Sequence, residues 1–188
     1  MKSIQEKLVE KSQEAFCMAI ELYNKPTIKY RVEGFALFIC NAWELMLKAY
    51  MIKTMGENSI YYKDNPQRTL SLENCVQKVF TNNKDPLRIN LEKIMELRNT
   101  STHFITEEYE MVYVPLFQSC VLNYNEKMMV FHNVDMTVVV PQNFLTLSIS
   151  MKALDESEII AKYPEKIANK LLSTKDSIAD MIVSHNDK

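Results

Sequence analysis

The stretch from Phe35 to Ile52 is eighteen residues long and apolar almost throughout, with Asn41, Glu44 and Lys48 as its only polar members. A run of this kind must be covered on every side, either by lipid or by other helices. Two charges inside it argue against lipid. The three polar residues follow one another at spacings of three and four, which places them on one narrow helical face. The run is therefore predicted to be the central helix of a bundle, carrying a single polar stripe.

The rest of the chain agrees with that reading. Gly34 and Gly56 are the only glycines among 188 residues, too few for a G-x-G-x-x-G fingerprint, a phosphate loop or the many tight turns of a sandwich or barrel. With 47% hydrophobic and 24% charged residues the chain matches a globular mixture, so wholesale disorder is excluded. Long Leu, Ile, Met, Glu and Lys runs leave an all-α fold as the expectation.

Along the chain, residues 3–24 have amphipathic helical spacing that ends before Pro26, and a second helix is predicted from Thr27 to Met55, capped by Gly56. A polar loop, Glu57–Thr69, follows. Ser71 is placed to cap a short helix over 71–81, and Asp85 with Pro86 marks the start of the next. A long helix is predicted over 107–131, kinked or delayed by Pro115. Thr137–Val140 and Phe144–Ile149, separated by Pro141–Asn143, read as a small hairpin or extended strap. Helical spacing returns over 155–172 and 176–184, with a break at Pro164 and a turn near Ser173. The expected architecture is an up-down bundle of four to five helices over residues 1–133. Residues 134–188 add a strap and C-terminal helices, read as the start of a longer C-terminal region.

The formal charge of −2 gives no overall basic field. Its distribution is uneven: residues 25–104 have a balance of +4 and residues 131–188 one of −2, so an anionic ligand would favour the middle. Cys17, Cys40, Cys75 and Cys120 are widely spaced among apolar neighbours and read as buried thiols in a reducing compartment. His103, His132 and His185 show no metal-ligand spacing, so no metal or cofactor is expected, and His132 and His185 read as surface residues. The N-terminus mixes charges and lacks an apolar signal core, which points to the cytoplasm.

The most informative segment is Leu87–Phe104. Leu87, Leu91, Ile94 and Met95 define an apolar stripe, and the residue eleven positions after Leu87 on that stripe is Arg98. A guanidinium turned inward needs an anion, either Glu44 of the central helix or a bound phosphate. His103 follows five residues later and would diverge from Arg98 by about 140° on an ideal helix. For the two to meet, the helix must end or distort across Asn99–Thr102, a run of weak helix formers.

The Arg98-Asn99-Thr100-Ser101-Thr102-His103 stretch resembles the R-x4-6-H motif of the HEPN superfamily of helical domains, including the asparagine common after the arginine in its nucleases. The run Trp43–Lys48, with Glu44 four positions before Lys48, resembles the second-helix signature of many HEPN domains. The wider run through IYYKDN (60–65) and LRNTSTHF (97–104) to PQNFLTL (141–147) is similar to an uncharacterised HEPN-like bacterial family often found in defence contexts. The resemblance covers roughly residues 1–150.

It implies a metal-independent endoribonuclease, completed across a homodimer, with Arg98 and His103 catalytic and Asn99, Glu44 and Lys48 supporting them. Tyr61, Tyr62, Lys63 and Arg68 offer base stacking and phosphate contacts, although a loop covering the core explains them more simply. Ser101, Thr100 and Thr102 lack a partner base and are assigned to helix-end hydrogen bonding. Met128, Met129 and Phe131 fit a core or helical interface. Expected partners are RNA, including tRNA, a second copy of the chain, and an antitoxin or nucleotidyltransferase. The competing reading is a non-catalytic nucleotide- or RNA-binding or dimerisation module.

Overall fold

The computed structural model describes residues 2–100, 107–140, 160, 168, 169 and 172–176. They form α1 (Ile4–Tyr23), α2 (Arg31–Met55), a 3-10 turn (Glu57–Ile60), α3 (Leu72–Val79), α4 (Pro86–Thr100), α5 (Glu107–His132) and α6 (Met136–Val139). The fold is all-α: among the described residues the only β pairing is one isolated bridge, Tyr61 to Thr69.

Several helix boundaries follow from local chemistry that the sequence displays. Ser3 and Glu6 form a capping box at the start of α1. The Asp85 carboxylate accepts from Leu87 N at 2.9 Å and its carbonyl from Ile89 N at 3.0 Å, which starts α4 at Pro86. The Gly56 N–H closes α2 on Ile52 O at 3.0 Å, and its φ of +86° is a conformation in which a side chain would be strained. α2 begins at Arg31 and not at Thr27, because a turn between Lys25 and Ile28 takes up the preceding residues.

Thirteen residues of α2 are buried, and α1, α3, α4 and α5 all pack on it, as expected of a central helix. By length and composition α2 could cross a membrane, with a mean hydropathy of 1.4 over its most apolar window, but its sides are occupied by other helices. Three ring contacts run along α2 and α5 in the same order: Phe35 with Phe117, Trp43 with Tyr124, and Tyr50 with Phe131. These two helices are therefore parallel. α1 runs against both, since Tyr23 meets Phe35 and Phe117 at one end while Phe16 stacks on Tyr124 further back. At the centre, Ser12 Oγ lies 2.7 Å from Ala42 O and 2.6 Å from Tyr124 Oη, joining α1, α2 and α5.

α5 starts at Glu107, so Pro115 lies inside the helix and does not delay its start. The structure departs from expectation in three further places. Thr137–Val139 lie in a helical turn and not a strand: Asp135 accepts from Thr137 N at 2.9 Å and from its hydroxyl at 2.6 Å, while Met136 anchors the turn in the core. That cap outweighs the β preference of Thr137, Val138 and Val139. Ser173 lies within a helical stretch, residues 172–176, where a turn was expected. His132 is half-buried against α2 and not a surface residue. The Phe144–Ile149 segment and His185 lie outside the described residues.

Candidate functional site

The polar stripe of α2 is built into the protein more deeply than its spacing alone implies. Lys48 is buried, 5% exposed, and its Nζ donates to Glu44 Oε1 at 2.6 Å and to Thr69 Oγ1 at 3.0 Å. The other Glu44 oxygen accepts from Leu72 N at 3.1 Å, at the first turn of α3. A carboxylate at a helix N-terminus satisfies an N–H that has no partner within the helix and meets the positive end of its dipole. One ion pair thus holds both the end of the 61–69 loop and the start of α3. Asn41, the third member of the stripe, is exposed.

The loop is ordered by its own contacts. Tyr62 N donates to Arg68 O at 3.1 Å and Leu70 N to Ile60 O at 2.8 Å. The Arg68 guanidinium lies 5.2 Å from the Tyr62 ring centre, and Asn74 Nδ2 donates to Tyr62 Oη at 2.8 Å. Hydrogen bonds from the Ser71 side chain and backbone, then Asn74 and the Arg68 charge, hold the Tyr62 hydroxyl below the usual phenol range. Tyr61 takes part in the bridge to Thr69, and Lys63 is exposed. The four residues singled out for RNA contact therefore belong to one folded loop, in which Tyr62 and Arg68 already engage each other.

Arg98 sits in the last turn of α4, on the same face as Leu87 and Ile94, and is half-buried. Its Nε and Nη2 both donate to Asn99 Oδ1 at 3.2 Å. Its charge reaches Cys40 on α2, one turn before Glu44: burial pushes the Cys40 thiol up to about 12, Arg98 pulls it back and Glu44 raises it. α4 packs on α2, and the Arg98 charge is felt at Cys40, one turn from Glu44. Glu44 and Lys48 form the i,i+4 ion pair that their spacing announces, and Glu44 also accepts from Leu72 N. Thr100 Oγ1 donates to Glu96 O at 2.8 Å, the helix-end bond expected of it. His103, Ser101 and Thr102 lie outside the described residues.

The cysteines behave as buried thiols. Cys40, Cys75 and Cys120 are buried and Cys17 is partly so, and all four are unpaired. Desolvation pushes the Cys75 thiol up to about 11 and raises Cys120 further. Among the described residues no group of three or more His, Cys, Asp or Glu side chains could hold a metal ion. Thr69 and the Leu72 amide, the partners that complete the Glu44–Lys48 pair, were missed in the sequence. The i,i+4 spacing announces the pair, but nothing local announces contacts 21 and 28 residues away.

The fold and site define an all-α bundle whose central helix carries a part-buried ion pair and whose fourth helix ends in an Arg-Asn clasp. The chain belongs to a family described as a domain of unknown function, DUF3644, whose model matches residues 7–182. No curated protein and no solved structure matches it.

Proposed function

We propose that the chain is a metal-independent endoribonuclease of HEPN type, working as a homodimer in the cytoplasm as a toxin or anti-phage effector. The observation that carries this reading is Arg98. A cation on the core-facing side of α4, half-buried at the helix end and oriented by Asn99, precedes His103 by five residues. In this reading Arg98 holds the scissile phosphate and stabilises its developing charge. His103 removes the 2′-hydroxyl proton or delivers one to the leaving 5′-oxygen, a task suited to an imidazole near neutrality. The 2′-oxygen attacks phosphorus as the bond to the 5′-oxygen breaks, leaving a 2′,3′-cyclic phosphate and a 5′-hydroxyl.

The test is incubation of the purified chain with total RNA and tRNA, beside Arg98→Ala and His103→Ala, with mapping of product ends. Cyclic-phosphate ends made by wild type alone support the reading, whereas equal cleavage by all three, or none by wild type, removes it.

One observation favours the second reading, a non-catalytic nucleotide- or RNA-binding or dimerisation module: Glu44 and Lys48 spend their charges on the 61–69 loop and α3. RNA binding without cleavage in the same assay selects that alternative. An antitoxin or nucleotidyltransferase partner belongs to the first reading and would be sought by co-purification.

A further inference from the structure

The C-terminal turn of α5 is fastened to α2 by three contacts of different kinds. The Phe131 ring stacks on Tyr50 with centroids 3.9 Å apart, Lys53 Nζ donates to Phe131 O at 2.8 Å, and His132 Nε2 lies 3.1 Å from Met46 O. Because a carbonyl only accepts, the third contact requires the proton on Nε2. The other ring nitrogen, Nδ1, is buried and has no hydrogen-bond partner. A second proton would have to sit on that atom, where nothing accepts it and where the Lys53 ammonium already adds positive charge. Among the described residues, Lys53 is the charged group whose field reaches the ring. The other charged groups nearby are occupied: Glu126 and Lys127 of α5 pair at 2.7 Å, Asp135 accepts from Thr137, and Asp85 caps α4.

The same turn forms a wall of a cavity of about 500 Å³, lined by Tyr50, Phe80, Leu87, Asn123, Lys127 and Phe131 among others. Phe131 is therefore both a fastening and a wall. We propose that His132 is a pH-sensitive latch: neutral, it holds the C-terminal turn of α5 on α2, and protonated, it releases that turn and opens the cavity beside Phe131. The released imidazolium would gain water on Nδ1, which has no acceptor in the folded turn, and distance from Lys53; the Met46 bond, made by the Nε2 proton in either state, opposes the release. Burial, followed by the Lys53 charge, lowers the affinity of the folded-state ring for its proton, while the bond to Met46 opposes the shift.

The test follows the full chain by NMR from pH 8 to 5, reading the His132 ring signals together with the Phe131, Met128 and Met129 side chains. The expected result is a His132 midpoint below the ordinary imidazole range, with the Phe131 and methionine signals moving at the same midpoint. His132→Gln keeps a donor for Met46 O and cannot titrate, so it should abolish the coupled movement. Lys53→Met removes the neighbouring charge and should raise the His132 midpoint, which keeps the test decisive if the glutamine variant does not fold. An ordinary midpoint, a Phe131 signal that ignores it, or an unchanged transition in His132→Gln overturns the latch. None of these readouts depends on RNA cleavage.

Discussion

The two charged sites of this molecule, Glu44–Lys48 on α2 and Arg98–Asn99 at the end of α4, differ in depth and in what completes them. Lys48 has 6% of its side chain exposed, and its ammonium is met by the Glu44 carboxylate of its own helix and by the Thr69 hydroxyl 21 residues away. Arg98 is half-buried and is oriented by the amide of the very next residue. The first joins α2 to the loop and to α3; the second is a helix-end guanidinium beside its own neighbour's amide, the group the proposed function would use for a phosphate.

The largest effect expected to separate them is on stability. Lys48→Met leaves the part-buried Glu44 carboxylate with Leu72 N as its remaining partner and should cost about 2 kcal/mol in chemical denaturation. Adding Glu44→Gln should recover much of that loss; additive losses would show that the two residues do not act as a joint. Arg98→Ala should do the opposite, changing stability by less than about 1 kcal/mol. If the nuclease reading holds, that variant should lower the cleavage rate by about 100-fold or more. A Lys48-sized loss of stability would make Arg98 structural. Thr69→Val keeps the shape of the side chain and removes one acceptor from Lys48, so denaturation should register about 1 kcal/mol. The smallest effect is a pH dependence at neither charged site. His132 binds its proton less tightly folded than unfolded, so its contribution to stability is fully present above the unfolded value of about 6.5 and declines as pH falls through the lower folded one. Denaturation curves of wild type and His132→Gln should therefore diverge below about pH 6.5 and run parallel above it.

What could be read from the chain depended on how local its cause was. α2 declared itself through an apolar run interrupted on one face only, and α3 and α4 through Ser71 and Asp85–Pro86, because each of those signals lies within a turn of its effect. Arg98 was found because helical periodicity carries Leu87 onto it. Glu44 was legible as the i,i+4 partner of Lys48, but not its second contact, which is made by the Leu72 backbone and which no side-chain pattern reports. His132 failed for a similar reason: its anchor is a main-chain carbonyl 86 residues earlier. The β-branched run at Thr137–Val139 misled because intrinsic preference is weak beside a capping carboxylate and one buried methionine.

The Ser12 hydroxyl, fully buried where α1, α2 and α5 meet, has a consequence for how this bundle can move. Helices held only by interdigitating apolar side chains can shear past one another by a turn, about 5.4 Å, and find a comparable fit. Here such a slip would tear Ser12 from both Ala42 O and the Tyr124 hydroxyl, stranding polar atoms in a dry interior. The three helices are pinned in register like rods with a bolt through them. Sliding of α1, α2 and α5 along one another is therefore opposed, whereas pivoting about that bolt, and movement at the helix ends where Arg98 and His132 sit, would leave it intact.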